Sequence, residues 1–341
     1  MSAFFRNIKI PRSLSWKRLV TLGITLMVFS YLIYRAYFGV KEIFSNGIKF
    51  SFVFLLLSFV CQMIGVAFAG LVWGNIVHRL SVKSSQIFDY EAWCLSAVAR
   101  KIPGFIWSAV SRMYLYDIRY KASKALIMIT VLIEMIMMSL GALVALGISI
   151  IAGFAQASWI DTKLLLFIVL PILVISTAML GPRIIHYAVR RTTKKQNGQE
   201  IIELPTIKSW DTLRWIIGET IVAFFAGGVF YFLMKSIIVD AAVPFSTILG
   251  ALSMAMALGP IGMWLPGDIG LKDGFLYIAL STIIGGSLAA VVTLSWRIWG
   301  TLLELFLGGL SAIALGHDLQ KLKSTYNTGK GSVNLDRDSP Y

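Results

Sequence analysis

The sequence predicts an all-α integral membrane protein. The first observation is composition: 57% of the 341 residues are hydrophobic and 14% are charged, whereas a soluble domain carries roughly 25% charged residues. The mean hydropathy is +0.77. The second observation is a series of long apolar stretches, and the third is a pair of apolar regions that are each interrupted by a Pro-Gly dipeptide. Together these features exclude a disordered chain, a coiled coil and an ordinary soluble enzyme.

About six apolar stretches are predicted to cross the membrane completely, because a helix needs about 20 apolar residues to cross ~30 Å of hydrocarbon. Five of them lie within 19–38, 50–77, 125–160, 164–182 and 215–234, and the last ends at residue 316. The segment before the first stretch is long and basic, and no small-residue cleavage site follows it. We therefore expect a retained anchor and not a removed signal peptide.

The basic residues predict the orientation of the chain. When loops are assigned to alternate faces, one face holds 22 lysines and arginines and the other holds four. The positive-inside rule then predicts that the more basic face, and with it both termini, is cytoplasmic. We expect the membrane to be a bacterial inner membrane. On that face lie a basic N-terminal segment (1–18), a basic loop (183–212) and a polar, disordered tail (317–341). The net charge of +14 needs no nucleic-acid partner, because basic cytoplasmic loops face anionic lipid.

Two apolar regions are predicted to be broken helical hairpins, at about 86–116 and 245–286. Proline removes a backbone donor and glycine permits a sharp reversal, so Pro103-Gly104 and Pro266-Gly267 each end one helix and open another. If both hairpins cross fully, the transmembrane domain (19–316) has up to ten segments. We favour re-entrant hairpins, the first from the cytoplasm and the second from the opposite face. Such an arrangement is typical of an inverted-repeat transporter with its site at the midplane.

Several ionisable residues fall inside the apolar segments, where each is costly without a partner or a wet cavity. Two interpretations stay open. In the structural one, the acids pair with Arg100, Lys272 and Arg297 and hold the bundle together. In the functional one, the bases bind an anionic head group and the acids act as counter-charges or proton carriers. The candidate coupling or counter-charge residues are Glu134, Glu219, Arg297 and Glu304.

The helices that open after Gly104 and Gly270 present free amides and a positive dipole end, which favour phosphate. Lys101, Arg112 and Lys272 would add fixed positive charge nearby, so we expect the two breaks to hold a lipid phosphate together. Two cysteines and three histidines lack metal-ligand spacing, and we predict neither a metal site nor a cofactor. Paired glycines at 227–228 and 308–309 are interpreted as close helix contacts.

The two broken segments resemble the signatures of the lysylphosphatidylglycerol synthase transmembrane (flippase-like) family. The first runs from Lys101 to Trp107 (KIPGFIW) and is followed by Arg112. The second runs from Leu265 to Asp273 (LPGDIGLKD), where the family usually has Pro-Gly-Gly-hydrophobic-Gly-x-Arg-Glu. The resemblance covers about residues 15–316, and Asp268 replaces the second glycine. Carried over by position, it implies a binding site that consists of Arg100, Pro103, Gly104, Arg112, Pro266, Gly267, Gly270, Lys272 and Asp273.

The resemblance implies a standalone flippase-like domain without an aminoacyltransferase. We therefore expect a protein that is not an enzyme, that binds an anionic phospholipid or a polyprenyl-phosphate-linked lipid and that moves it between leaflets in cell-envelope biogenesis. Its expected protein partners are a second copy of the chain or envelope-biosynthesis enzymes. Two alternatives remain: an integral-membrane glycosyl- or phosphotransferase that uses a lipid-linked donor, and a non-transporting scaffold of an envelope polysaccharide complex. No catalytic residue is predicted.

Overall fold

The computed structural model describes residues 27, 30–41, 45, 50–101, 106–154, 171, 174–177, 179–187, 207–239, 242–257 and 271–335, the last nineteen by their backbone alone. Nearly all of these residues are helical, and none of them belongs to a strand. The helices with defined bounds are α1 (Phe52–Arg79), α2 (Gln86–Ala99), α3 (Ile106–Tyr120), α4 (Lys124–Ser149), α5 (Ser209–Ile237), α6 (Phe245–Ala257), α7 (Leu271–Ile284) and α8 (Gly286–Leu335).

Within the described ranges, four helices are long and apolar enough to cross a membrane: α1, α4 with its extension to Gly153, α5, and α8 as far as Gly316. They confirm the all-α membrane class and match four of the spans that the sequence predicts. About half of each of the stretches 19–38 and 164–182 falls outside the described residues. The total number of spans therefore stays a prediction.

The helices α2, α3, α6 and α7 are short, with 14, 15, 13 and 14 residues. At 1.5 Å per residue each is about 20 Å long, less than the ~30 Å of hydrocarbon. They occupy the two regions in which hairpins were predicted. The breaks themselves, 102–105 and 258–270, lie outside the described residues. So do five of the predicted site residues, which are Pro103, Gly104, Pro266, Gly267 and Gly270.

The helices with defined bounds follow the same order twice: one long, two short and one long, in α1–α4 and again in α5–α8. Further described helical residues, 30–41 and 179–187, lie outside this order. The two long helices that open these halves, α1 and α5, pack antiparallel. The backbone N–H of Ser51 donates to the carbonyl of Ser236 (3.0 Å), and the hydroxyl of Ser58 donates to the carbonyl of Val229 (2.9 Å). At the other end of both helices the indole of Trp215 donates to Asn75 Oδ1 (2.8 Å).

The described helices enclose two large apolar cores. Trp73, Ile127 and Trp215 are fully buried in the first core, which joins α1, α4 and the start of α5. Ile248 and Leu280 are fully buried in the second, which joins the end of α5 to α6, α7 and α8. Large apolar side chains elsewhere on these helices are exposed, as expected for a surface that faces lipid.

The helix α8 continues to Leu335, whereas the sequence predicts a disordered tail from residue 317. The first residues after Gly316 contain leucine, glutamine and lysine and no proline. These residues favour helix, so the helix that begins in the apolar segment can continue into the polar one.

Candidate functional site

The first short pair, α2 and α3, is antiparallel, with both outer ends beside the end of α1. The hydroxyl of Tyr120 accepts a hydrogen bond from the N–H of Ser85 (3.1 Å), and its ring packs edge-on against Phe88, with centroids 5.0 Å apart. His78 Nε2 near the end of α1 lies 2.9 Å from Asp89 Oδ2 in the first turn of α2. The chain therefore enters and leaves this pair on one side of the bundle.

Arg112 lies at the centre of a buried polar cluster. Its side chain is 4% exposed, its Nε donates to Ser96 Oγ (2.7 Å), and its guanidinium forms a bidentate ion pair with Glu134. It also lies over the ring of Trp73, with Cζ 3.9 Å from the ring centroid. The indole of Trp93 donates a further hydrogen bond to Glu134 Oε1 (2.8 Å). Arg112 and Glu134 thus satisfy each other, with help from α1 and α2.

A second layer of buried hydrogen bonds positions this pair. The indole of Trp73 donates to the hydroxyl of Tyr116 (2.9 Å), and that hydroxyl donates to Asp89 Oδ1 (2.6 Å). Tyr116 and Asp89 are both fully buried. Sequence reasoning missed these residues, because an acid in the first turn of a helix is usually explained by the helix dipole. The sequence did offer one signal for a buried acid, because Asp89 is followed by an almost uncharged stretch.

The inner ends of both short pairs are attached to the same helix, α8. At the end of α2, Lys101 Nζ lies 3.0 Å from Glu304 Oε2. At the start of α7, Asp273 Oδ2 lies 2.8 Å from Arg297 Nη1. Residue 301 is the middle of the apolar span 286–316, so these two attachment points lie on either side of its centre. Seven residues separate them, about 10 Å along the helix axis.

Two of the predicted site cations form no ion pair with a described acid. Arg100 stacks on Trp93, with Cζ 5.5 Å from the ring centroid, and Lys272 is partly exposed. The structural interpretation of the sequence assigned both of them to the intramembrane acids, and that assignment is wrong within the described residues. The acids pair instead with Arg112 and Lys101, and Arg297 pairs with Asp273.

Glu219 is the buried acid that stands apart. It is 4% exposed, and no hydrogen bond or ion pair joins its carboxyl group to another described residue. Its electrostatic interactions are with Glu134, Arg112 and Arg100. The structure therefore groups Glu219 with the Arg112–Glu134 pair, whereas Arg297 and Glu304 belong to the attachment points on α8.

Among the described residues, no group of three histidine, cysteine, aspartate or glutamate side chains could hold a metal ion. No protein-family model matches the chain, and comparison with curated proteins finds no match. The resemblance to the flippase-like family stays a prediction, and the site has to be judged from its own geometry.

Proposed function

We propose that this chain binds an anionic phospholipid or a polyprenyl-phosphate-linked lipid between the inner ends of its two short helix pairs and moves it between leaflets. The observation that carries the proposal is the attachment of both inner ends to the middle of α8, each beside a cation that no described acid neutralises. These cations are Arg100 and Lys272. The charge asymmetry of the loops supports an orientation with both termini in the cytoplasm, and we propose that the membrane is a bacterial inner membrane.

The charge balance at α8 favours an anionic ligand. Lys101 with Glu304, and Arg297 with Asp273, cancel in pairs. Among the described residues, Arg100 and Lys272 are then left without an ion-pair partner near mid-membrane, where an unpaired charge costs at least ~2.5–3.5 kcal/mol. A lipid phosphate diester brings one negative charge, and a lipid pyrophosphate brings more. Such a head group offsets the cost of the two cations while its acyl or prenyl chains stay in hydrocarbon.

The repeated helix order supports movement as well as binding. Because α1 and α5 run antiparallel, we infer that the two halves form an inverted repeat, with the first short pair re-entrant from the cytoplasm and the second from the opposite face. Halves of this kind are typical of transporters in which the two sides open alternately around a midplane site.

A vesicle assay tests the proposal. Purified protein is reconstituted in liposomes that contain fluorescent phosphatidylglycerol, and lipid movement is followed by quenching of the outer leaflet. We expect Arg100→Gln and Lys272→Gln each to slow translocation at least about tenfold, because one lost charge contact is worth ~1.4 kcal/mol or more. Lys124→Gln is the matched control, because Lys124 is 67% exposed and pairs with Asp117 at the end of α3.

Arg112 is a poorer probe of this function, since its burial against Trp73 and its pairing with Glu134 make its loss a folding defect as well. Wild-type rates in both Arg100→Gln and Lys272→Gln would remove the proposed lipid site. The ion pairs Arg112–Glu134, Lys101–Glu304 and Arg297–Asp273 join different helices, which favours a second candidate, a scaffold whose charges only hold helices together. It predicts that wild-type protein moves no fluorescent lipid while remaining bound to envelope-biosynthesis enzymes during purification.

A further inference from the structure

Glu219 lies deep in the bundle with little to stabilise its charge. It is ten residues from the start of α5, about 15 Å along the helix. A methyl group added to Gly141 of α4 would lie 2.7 Å from its Cβ, so the two helices are in direct contact beside it. An ionised carboxylate without a hydrogen-bond donor is strongly disfavoured at such a place.

The charged groups that face Glu219 come from three elements. Glu134 lies on α4, Arg112 on α3, and Arg100 directly after α2. Among the described residues, none of α1 or α8 has an electrostatic interaction with Glu219, and α6, which also packs on α5, contains no charged residue. Arg112 is already bound to Glu134 in a bidentate pair. Glu219 therefore depends on cations that lie beyond contact distance, and one of them, Arg100, belongs to the proposed anion site.

We propose that the Glu219 carboxyl group is a proton-binding site linked to the anion site, so that a proton and an anionic lipid bind together and leave together. The inference rests on the proposed function and names the ion that accompanies the lipid. When a phosphate contacts Arg100, the cation no longer stabilises a negative Glu219, and the phosphate repels it. A carboxylate oxygen then forms an O–H bond with a proton from a hydronium ion of the bulk water, whose own O–H bond breaks to leave a water molecule.

The linkage fixes the sign of the pH effect. If anion binding favours proton binding, protonation favours anion binding by the same factor. Lowering the pH must therefore tighten lipid binding. If one proton is taken up for each lipid bound, the dissociation constant of the lipid falls by up to about tenfold for each unit by which the pH is lowered.

Binding of short-chain phosphatidylglycerol to the purified protein in detergent, between about pH 5 and pH 8, measures this slope. We expect Glu219→Gln, which keeps the shape of the side chain, to bind the lipid with an affinity that does not change with pH. Asp117→Asn is the matched control: its carboxylate lies 3.1 Å from the ammonium of the exposed Lys124, outside the proposed anion site, so the slope should remain. Infrared difference spectra should show a protonated carboxyl band when lipid is added to wild type and not to Glu219→Gln.

The two proposals fail in different ways. An unchanged slope in Glu219→Gln, or lipid binding by wild type without the carboxyl band, would overturn the proton site and leave the lipid site standing. If wild type binds no phosphatidylglycerol at any pH, the proposed function fails. The proton site is then supported if acidification alone produces a carboxyl band that Glu219→Gln lacks, and is rejected if that band persists in the variant.

Discussion

At the residue scale, the pair Arg112–Glu134 determines whether α2 and α3 can lie among apolar helices. Arg112 is held by a hydroxyl, a carboxylate and an indole face, contributed by Ser96, Glu134 and Trp73. Removing one partner of a buried pair leaves an uncompensated charge and costs about 3–5 kcal/mol, whereas replacing both by apolar groups can be nearly neutral. The pair can therefore be tested for a structural role separately from a functional one.

We predict that Arg112→Met lowers the free energy of unfolding by about 3–5 kcal/mol and that Arg112→Met/Glu134→Met recovers most of this loss. The physical reason is that the double variant leaves no unpaired charge. Unfolding in detergent by titration with dodecyl sulfate, followed by circular dichroism, measures both values. Lys124→Met should change stability by less than about 1 kcal/mol, because its ion pair is exposed. A double variant as unstable as the single one would contradict the interpretation.

The charged residues of the site could be predicted from the sequence, but their partners could not. Arg112, Glu134 and Glu304 are conspicuous because each interrupts an apolar run. Which of them meet depends on how helices distant in the sequence pack, and 22 residues separate Arg112 from Glu134. The sequence also could not show that Arg297 would pair with Asp273 and not with a glutamate, since only the approach of α7 to α8 decides it.

At the element scale, close helix approach depends on a few glycines. A Cβ at Gly141 would lie 2.7 Å from backbone atoms of Glu219 and Thr220, which have no freedom to move away. Gly308 likewise allows α2 and α8 to approach closely, because a Cβ there would overlap the side chain of Val98. By contrast, no atom of a described residue lies within 4 Å of a Cβ placed at Gly309. The same substitution should therefore have opposite effects at these sites.

We predict that Gly141→Ala destabilises the protein by about 1–3 kcal/mol, because an added methyl group forces α4 and α5 apart. Gly309→Ala is the control and should be neutral or stabilising by up to about 1 kcal/mol, since alanine favours helix over glycine. Apparent melting temperatures in detergent compare the two variants. Equal melting temperatures would show that α4 and α5 are not in backbone contact at Gly141.

Helix positions followed from the sequence more closely than helix contacts. The first broken region, predicted as 86–116, corresponds to α2 and α3 between Gln86 and Tyr120. Among the glycines interpreted as contacts, Gly227, Gly228 and Gly308 each approach another helix, and the interpretation is wrong for Gly309. Both members of a Gly-Gly pair look alike in a sequence, but they point to different sides of a helix.

At the scale of the whole molecule, the helices with defined bounds fall into two similar sets, each with two short helices between two long ones. The hydropathy of the sequence predicts the membrane class, because it depends on composition and length alone. It could not decide between re-entrant and fully crossing hairpins, since both return the chain to the same side. Over their described residues, α2, α3, α6 and α7 are each about 20 Å long against ~30 Å of hydrocarbon, and this is the observation behind our proposal of re-entry.

Labelling of single cysteines tests this arrangement. In a background with Cys61→Ala and Cys94→Ala, we predict that Lys101→Cys reacts with a small charged thiosulfonate added from the cytoplasmic side only, and Lys272→Cys from the opposite side only. Both positions are partly exposed at the inner ends of their pairs, so water should reach each from the face at which its pair enters. Lys83→Cys, exposed in the loop before α2, reports cytoplasmic access. If Lys101→Cys is labelled from the opposite side instead, α2 and α3 cross completely, and the inner ends cannot meet at mid-membrane to bind a lipid.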